Sequence, residues 1–168
     1  MKKNVLFAIA FLMVNVLFAD PFGLKMGMTL AEIKEKCGGK EPVYRSMGYL
    51  YNIEPIKKDK FFIEYTACFN DNVGLFGVDA MTDVMSTEMC EEVFNNVLSI
   101  LKGYYGEPSE VEGSNYVWWF ANKCEKLKKE RLDSICLTVK SGSGRGMIFL
   151  GYRFENVDKA RETADSPF

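Results

Sequence analysis

Five cysteines, two tryptophans and no histidine bound the chemistry open to this chain of 168 residues. Without histidine it lacks the usual general base, the usual member of a hydrolytic triad and the commonest zinc ligand. Cys37, Cys68, Cys90, Cys124 and Cys136 include no Cys-x-x-Cys pair, the spacing of redox and zinc sites. Cys37 and Cys90 fall on the apolar faces of two helical stretches and read as small core residues. Cys124 and Cys136 flank a charged stretch, and they form the candidate disulfide if the strands on either side pair as a hairpin. Cys68 with Cys136 is the rival pairing, since both sit on the less apolar side of their strands. An odd count leaves at least one thiol free or shared between chains.

The carboxylates are numerous, but the sequence brings no pair of them into an apolar pocket, and Glu64 reads as solvent-facing. Ser141-Gly142-Ser143-Gly144 lies between two strands, whereas phosphate loops lead into a helix, so it reads as a hairpin. No catalytic, cofactor-binding or metal-binding set is assigned. Tyr116, Trp118 and Trp119 are the candidate partner-binding residues. Period-two alternation puts Trp118 with Tyr116 and Phe120 on one face, and Trp119 with Val117 on the other. One tryptophan is therefore expected on the face away from the helices, where an exposed aromatic anchors a partner. The alternative is that both faces are covered. The stretch Lys123 to Arg131, with five cations and two acids, reads as a solvated hairpin tip.

The elements that must position these residues are legible from periodicity. Thr29 with Glu32 three residues later is a capping box, and Leu30, Ile33 and Cys37 share one helical face. Gly38, Gly39 and Pro42 end that helix. Strands are expected at Tyr49–Ile53, at Phe61–Phe69 with Phe61, Ile63, Tyr65, Ala67 and Phe69 on one face, and at Val73–Met81 after an Asn-Asp-Asn turn. Gly77 is read as the mark of a bulge. Ser86 and Thr87 open a second helix, on which Cys90, Phe94, Val97, Leu101 and Tyr104 share a face, and Gly106 and Pro108 close it. Tyr116–Ala121, Ile135–Val139 and Met147–Phe154 are the remaining strands. The predicted fold class is α+β: a two-layer structure of tandem αβββ repeats, with helices packed on a mainly antiparallel sheet.

Residues 1–19 read as a signal peptide: Lys2 and Lys3, an apolar run from Val5 to Phe18, and Ala19 before Asp20. That run is too short to span a bilayer, so no stable membrane insertion is expected after cleavage. No cysteine directly follows it, which argues against a lipid-anchored start. The expected organisation is one α+β domain over 20–155, in halves 20–84 and 85–155, followed by a polar tail over 156–168. The formal charge of −2 becomes more acidic once the two leader lysines are lost, which argues against nucleic acid as a partner. Periplasmic or extracellular localisation follows from the leader.

Gly27-Met28-Thr29, with Ile33 behind it, resembles the helix start of the outer-membrane-assembly lipoprotein family called BamE or SmpA. Tyr105, Gly106, Pro108 and the Trp118–Trp119 strand resemble that family's helix end and aromatic strand, here in the second half. In tandem, such units are similar to the fold of the secreted beta-lactamase inhibitory protein, which presents a sheet surface to a target enzyme. The resemblance implies a non-enzymatic protein that binds another protein in the cell envelope or outside it. A secreted enzyme inhibitor is the first alternative, and a carboxylate- or thiol-dependent enzyme the second. No cofactor is implied.

Overall fold

In a computed structural model, residues 20–120 and 131–163 are described. Phe22, in a short 3-10 turn at Pro21–Gly23, is buried and stacks edge-on against Tyr65 and Tyr152, so the segment before the first helix is fixed by aromatic packing. Helix α1 (Leu30–Lys36) starts on the expected box: the Thr29 hydroxyl accepts from Glu32 N–H, and the Glu32 carboxylate accepts from Thr29 N–H at 2.8 Å. Ile33 and Cys37 point into the core, and Gly38 and Gly39 end the helix at positive φ.

Four strands follow α1: β1 (Val43–Ser46), β2 (Leu50–Ile53), β3 (Glu64–Asn70) and β4 (Gly74–Met81). Then come the two-residue β5 (Met85–Ser86) and helix α2 (Thr87–Tyr105). Ser86 caps α2 by accepting from Met89 N–H, and Gly106 closes it. Cys90, Phe94, Val97 and Leu101 are its buried stripe, the last three contributing about 1.5–3 kcal/mol each. Next are β6 (Glu110–Glu112), β7 (Asn115–Trp119), β8 (Leu132–Gly142) and β9 (Arg145–Phe154), then helix α3 (Val157–Glu162). The strand order is β1-β2-β3-β4-β9-β8-β7-β6, antiparallel at every pairing, with β5 beside β9. The protein is thus α+β with an antiparallel sheet.

Several sequence expectations change. Three strands join the six expected: the two-residue β5, and β1 and β6, which are short, exposed edge strands with no alternating apolar pattern to betray them. Strand β3 begins at Glu64: Phe61 and Ile63 precede it, Ile63 is exposed, and Phe62 is buried instead. The bulge sits at Phe76, the residue before Gly77, since Phe69 pairs with Leu75 while Cys68 pairs with Gly77. Within the polar tail, Val157–Glu162 form helix α3. Val157 and Ala160 of α3 pack with Cys68 and Phe76, apart from the main core.

The segment before α1 is joined to β4 by backbone. Gly27 N–H donates to Leu75 C=O at 2.8 Å and Leu75 N–H to Met28 C=O at 2.9 Å. Gly74 allows this approach: it has φ +74°, and a Cβ there would sit 2.4 Å from the Gly27 carbonyl oxygen. Gly39 has φ +86° with open space around it. Gly74→Ala is therefore expected to cost about 2–5 kcal/mol, strain plus a backbone clash. Gly39→Ala is expected to cost about 1–2 kcal/mol, strain alone. Urea unfolding of the two variants checks this; equal losses would show that the close approach carries no energy.

Candidate functional site

Alternation along the strands divides the sheet into two unlike faces. Tyr65, Ala67, Val78, Ala80, Ile135, Leu137, Ile148, Leu150 and Tyr152 belong to the main core with α1 and α2. The residues between them form the other face, which α3 covers only at the Cys68–Phe76 end. The register lines this face in rows across the sheet. One row runs Trp119, Ser134, Arg153, Gly77, Cys68, Leu50. The next runs Val117, Cys136, Gly151, Asp79, Thr66, Asn52, and a third Asn115, Thr138, Phe149, Met81, Glu64.

Side-chain size along these rows makes a groove. Gly151 and the small Cys136 and Thr66 leave the second row low, while Phe149 and Met81 rise beside it. The result is a groove of about 350 Å³ lined by residues of β1, β2, β3, β4, β8 and β9, including Leu50, Met81, Phe149, Cys136 and Thr66. Its charged lining residues come in two opposite pairs. Asp79 and Arg153 form a bidentate pair, with contacts of 2.6 and 3.2 Å. Arg45 and Glu64 form a looser one at 3.9 Å.

The Asp79–Arg153 pair crosses diagonally between β4 and β9, and two glycines make room for it. A Cβ on Gly151 would stand 2.8 Å from Asp79 Oδ1, and one on Gly77 3.1 Å from the Arg153 side chain. Arg153 also donates to the Tyr152 carbonyl at 2.9 Å. Burial works against its charge, but the Asp79 carboxylate outweighs that, and the guanidinium is held above its ordinary value. Cys68 donates to Asp79 Oδ2 at 3.6 Å. Burial pushes its thiol up to about 12, and the neighbouring Asp79 charge adds to the rise.

Of the three partner-binding candidates read from the sequence, Trp119 alone stands on the groove's face, 47 % exposed. Trp118 is a core residue, 1 % exposed, with its indole N–H donated to the Gly106 carbonyl at 2.9 Å. It ties the end of α2 to β7. Tyr116 shares that face and stacks on Phe94 at 5.3 Å. Strands β7 and β8 pair as expected, but Cys124 lies outside the described residues, as does most of the charged stretch. Cys136 carries a free thiol 3.4 Å from the Thr138 hydroxyl. Cys68 is also free, so the rival Cys68–Cys136 bridge is not formed; two strands separate them. Cys37 and Cys90 are buried, as read. Glu64 is exposed, and the Ser-Gly-Ser-Gly stretch turns β8 into β9.

Sequence reasoning missed Asp79 and Arg153. Only two signals pointed to them: an acid and a base each two residues from a glycine, on strands otherwise apolar inward. Among the described residues, no group of three or more His, Cys, Asp or Glu side chains converges as a metal cage. None of the described helices is long and apolar enough to cross a membrane. Compared with known proteins, the chain matches no family model, no curated protein and no solved structure.

The tryptophans separate by mutation. Trp118→Ala is expected to cost about 3–5 kcal/mol, and Trp119→Ala to stay within about 0.5 kcal/mol, read by urea unfolding. Stability should also depend on alkaline pH. An unfolded cysteine ionises near 9, whereas the folded Cys68 thiol holds its proton to about 12. Tyr65, raised by burial from 10 to about 12, acts in the same direction. Unfolding thus releases protons in this window, so stability is full below pH 9 and falls as pH rises towards 12. Constant stability from pH 9 to 12 would contradict the burial of these two groups.

Proposed function

We propose that this chain is an exported, non-enzymatic protein that binds another protein through the open face of its sheet, as an envelope-assembly or other binding factor. The observation that carries the reading is the groove: a shallow, apolar-sided depression across the sheet, on a face that α1 and α2 leave bare, with Trp119 exposed on the same face. A large aromatic in that position gains contact area at small ordering cost. The leader-like residues 1–19 support export to the periplasm or beyond, with the mature chain starting near Asp20.

We read the two halves as a tandem repeat in two layers, of the BamE-like type. The strand order supports this: each half runs from an outer edge, β1 or β6, inward to β4 or β9, where the halves pair. A surface built at such a junction takes side chains from both halves, as Asp79 and Arg153 do.

One feature speaks for the enzymatic alternative, and its chemistry weakens it. Cys68 is a buried thiol beside a carboxylate. A nucleophilic thiol needs a depressed pKa, supplied by a cation or a base that takes its proton. Here burial and the Asp79 charge move the thiol the other way, to about 12.

The test is affinity capture from an envelope extract with the mature protein, run beside Trp119→Ala. The wild type is expected to retain a specific protein, and the variant, equally folded by circular dichroism, to lose at least half of it. A captured enzyme whose activity falls on binding assigns the inhibitor role; an assembly component assigns the other. Recovery of no specific protein overturns the reading.

A further inference from the structure

We propose that the groove takes an extended, uncharged, apolar-rich peptide segment of the partner protein, with Arg153 donating to its backbone carbonyls. This rests on the protein-binding reading above and adds the chemistry of what is bound.

Charge selects the occupant. The four charged residues lining the groove are two cations and two anions, each next to its opposite: Asp79 with Arg153, and Arg45 with Glu64. A carboxylate entering beside Arg153 meets Asp79, and an ammonium entering beside Asp79 meets Arg153. Either would have to displace a bidentate pair whose geometry is already satisfied. An uncharged group meets no such opposition. The sides, Leu50, Met81 and Phe149, favour apolar side chains.

Hydrogen bonding narrows it further. Arg153 uses three of its five N–H groups, two on Asp79 and one on the Tyr152 carbonyl. The remaining two belong to a half-buried side chain that lines the groove, and its orientation is fixed by Asp79 and by the space over Gly77 and Gly151. A neutral acceptor can use them without displacing Asp79, and a peptide carbonyl is one. Length fits too. Between Leu50 on β2 and Cys136 on β8 the groove crosses five strands, or about 19 Å at the usual spacing. That is about six residues of extended chain.

Cys136 is the reporter. It lines the groove and is half-buried, whereas Cys37, Cys68 and Cys90 are buried. The mature protein would be alkylated with iodoacetamide, and Cys136 modification followed by mass spectrometry of its own proteolytic fragment. Three pools of end-blocked hexapeptides would be added in turn: uncharged apolar, the same with a central Asp or Glu, and the same with a central Lys. The uncharged pool is expected to slow Cys136 alkylation at least threefold, and the charged pools to leave it within a factor of about 1.5. Asp79→Asn, which keeps the shape but frees the guanidinium charge, is expected to move protection to the acidic pool. No protection by the uncharged pool overturns the inference, and so does equal protection by the acidic pool in the wild type. Protection by dodecyl maltoside without protection by any peptide also overturns it, in favour of a lipid-like occupant. If Trp119-dependent capture succeeds while the peptides fail, the groove inference falls and the binding reading stands. If capture fails as well, both fall.

Discussion

The pairing of β4 with β9 is the contact on which the rest of the molecule depends. It joins strands from the two halves of the chain, far apart in sequence, and every other strand reaches the sheet centre through one of them. Its inward residues, Val78, Ala80, Leu150 and Tyr152, are the floor on which α2 and the segment before α1 are packed. Its outward residues include Gly77, Asp79, Gly151 and Arg153. Antiparallel register places each glycine opposite one member of the charged pair. The same register that builds the core therefore also clears the space for an ion pair on the other side.

That coupling explains why the two faces differ. An antiparallel sheet can bury one face and leave the other wet, provided side chains alternate. Here the inward set is uninterrupted from β3 through β7, which commits the helices to one side. On the other side, among the described helices, α3 alone finds purchase, and it does so because the bulge at Phe76 turns an extra aromatic outward beside Cys68. The remainder of that face holds small residues, paired charges and a few apolar side chains. It is too polar to collect a helix and too apolar at Phe149, Met81 and Trp119 to be an ordinary wet surface.

Much of the fold was legible in the sequence because local physics set it. The capping box at Thr29 and Glu32 formed as read, as did the α2 stripe and the turns at Asn70–Asn72 and Ser141–Gly144. Alternation also placed Trp118 and Trp119 on opposite faces. It could not say which face the helices take, because both carry aromatics, and so Trp118 and Tyr116 remained binding candidates. Strands β1 and β6 were illegible for a different reason: edge strands are defended by short length, charge and exposure, which removes the period that reveals a strand. The Asp79–Arg153 pair was illegible because its partners meet only through long-range register. No spacing within one segment encodes it.

The thiols complete the picture of a protein whose order does not rest on covalent staples among the described residues. Cys37 and Cys90 serve as small apolar core groups, and Cys90 lies against Gly146, where an added Cβ would come within 2.8 Å of its sulfur. Cys68 is locked by Asp79, and Asp79 is in turn held by Arg153. A thiol that donates to a carboxylate already engaged by a guanidinium is the end of a hydrogen-bond chain. Its role is to satisfy a second lone pair on Asp79 and so keep the carboxylate from turning. A fixed carboxylate fixes the guanidinium, and a fixed guanidinium gives the groove a directional donor in place of a mobile charge. Chemical reactivity at Cys68 would undo this, since a thiolate there could no longer donate and would repel Asp79. Burial that holds the thiol protonated is thus part of what keeps the Asp79–Arg153 pair in place on the open face.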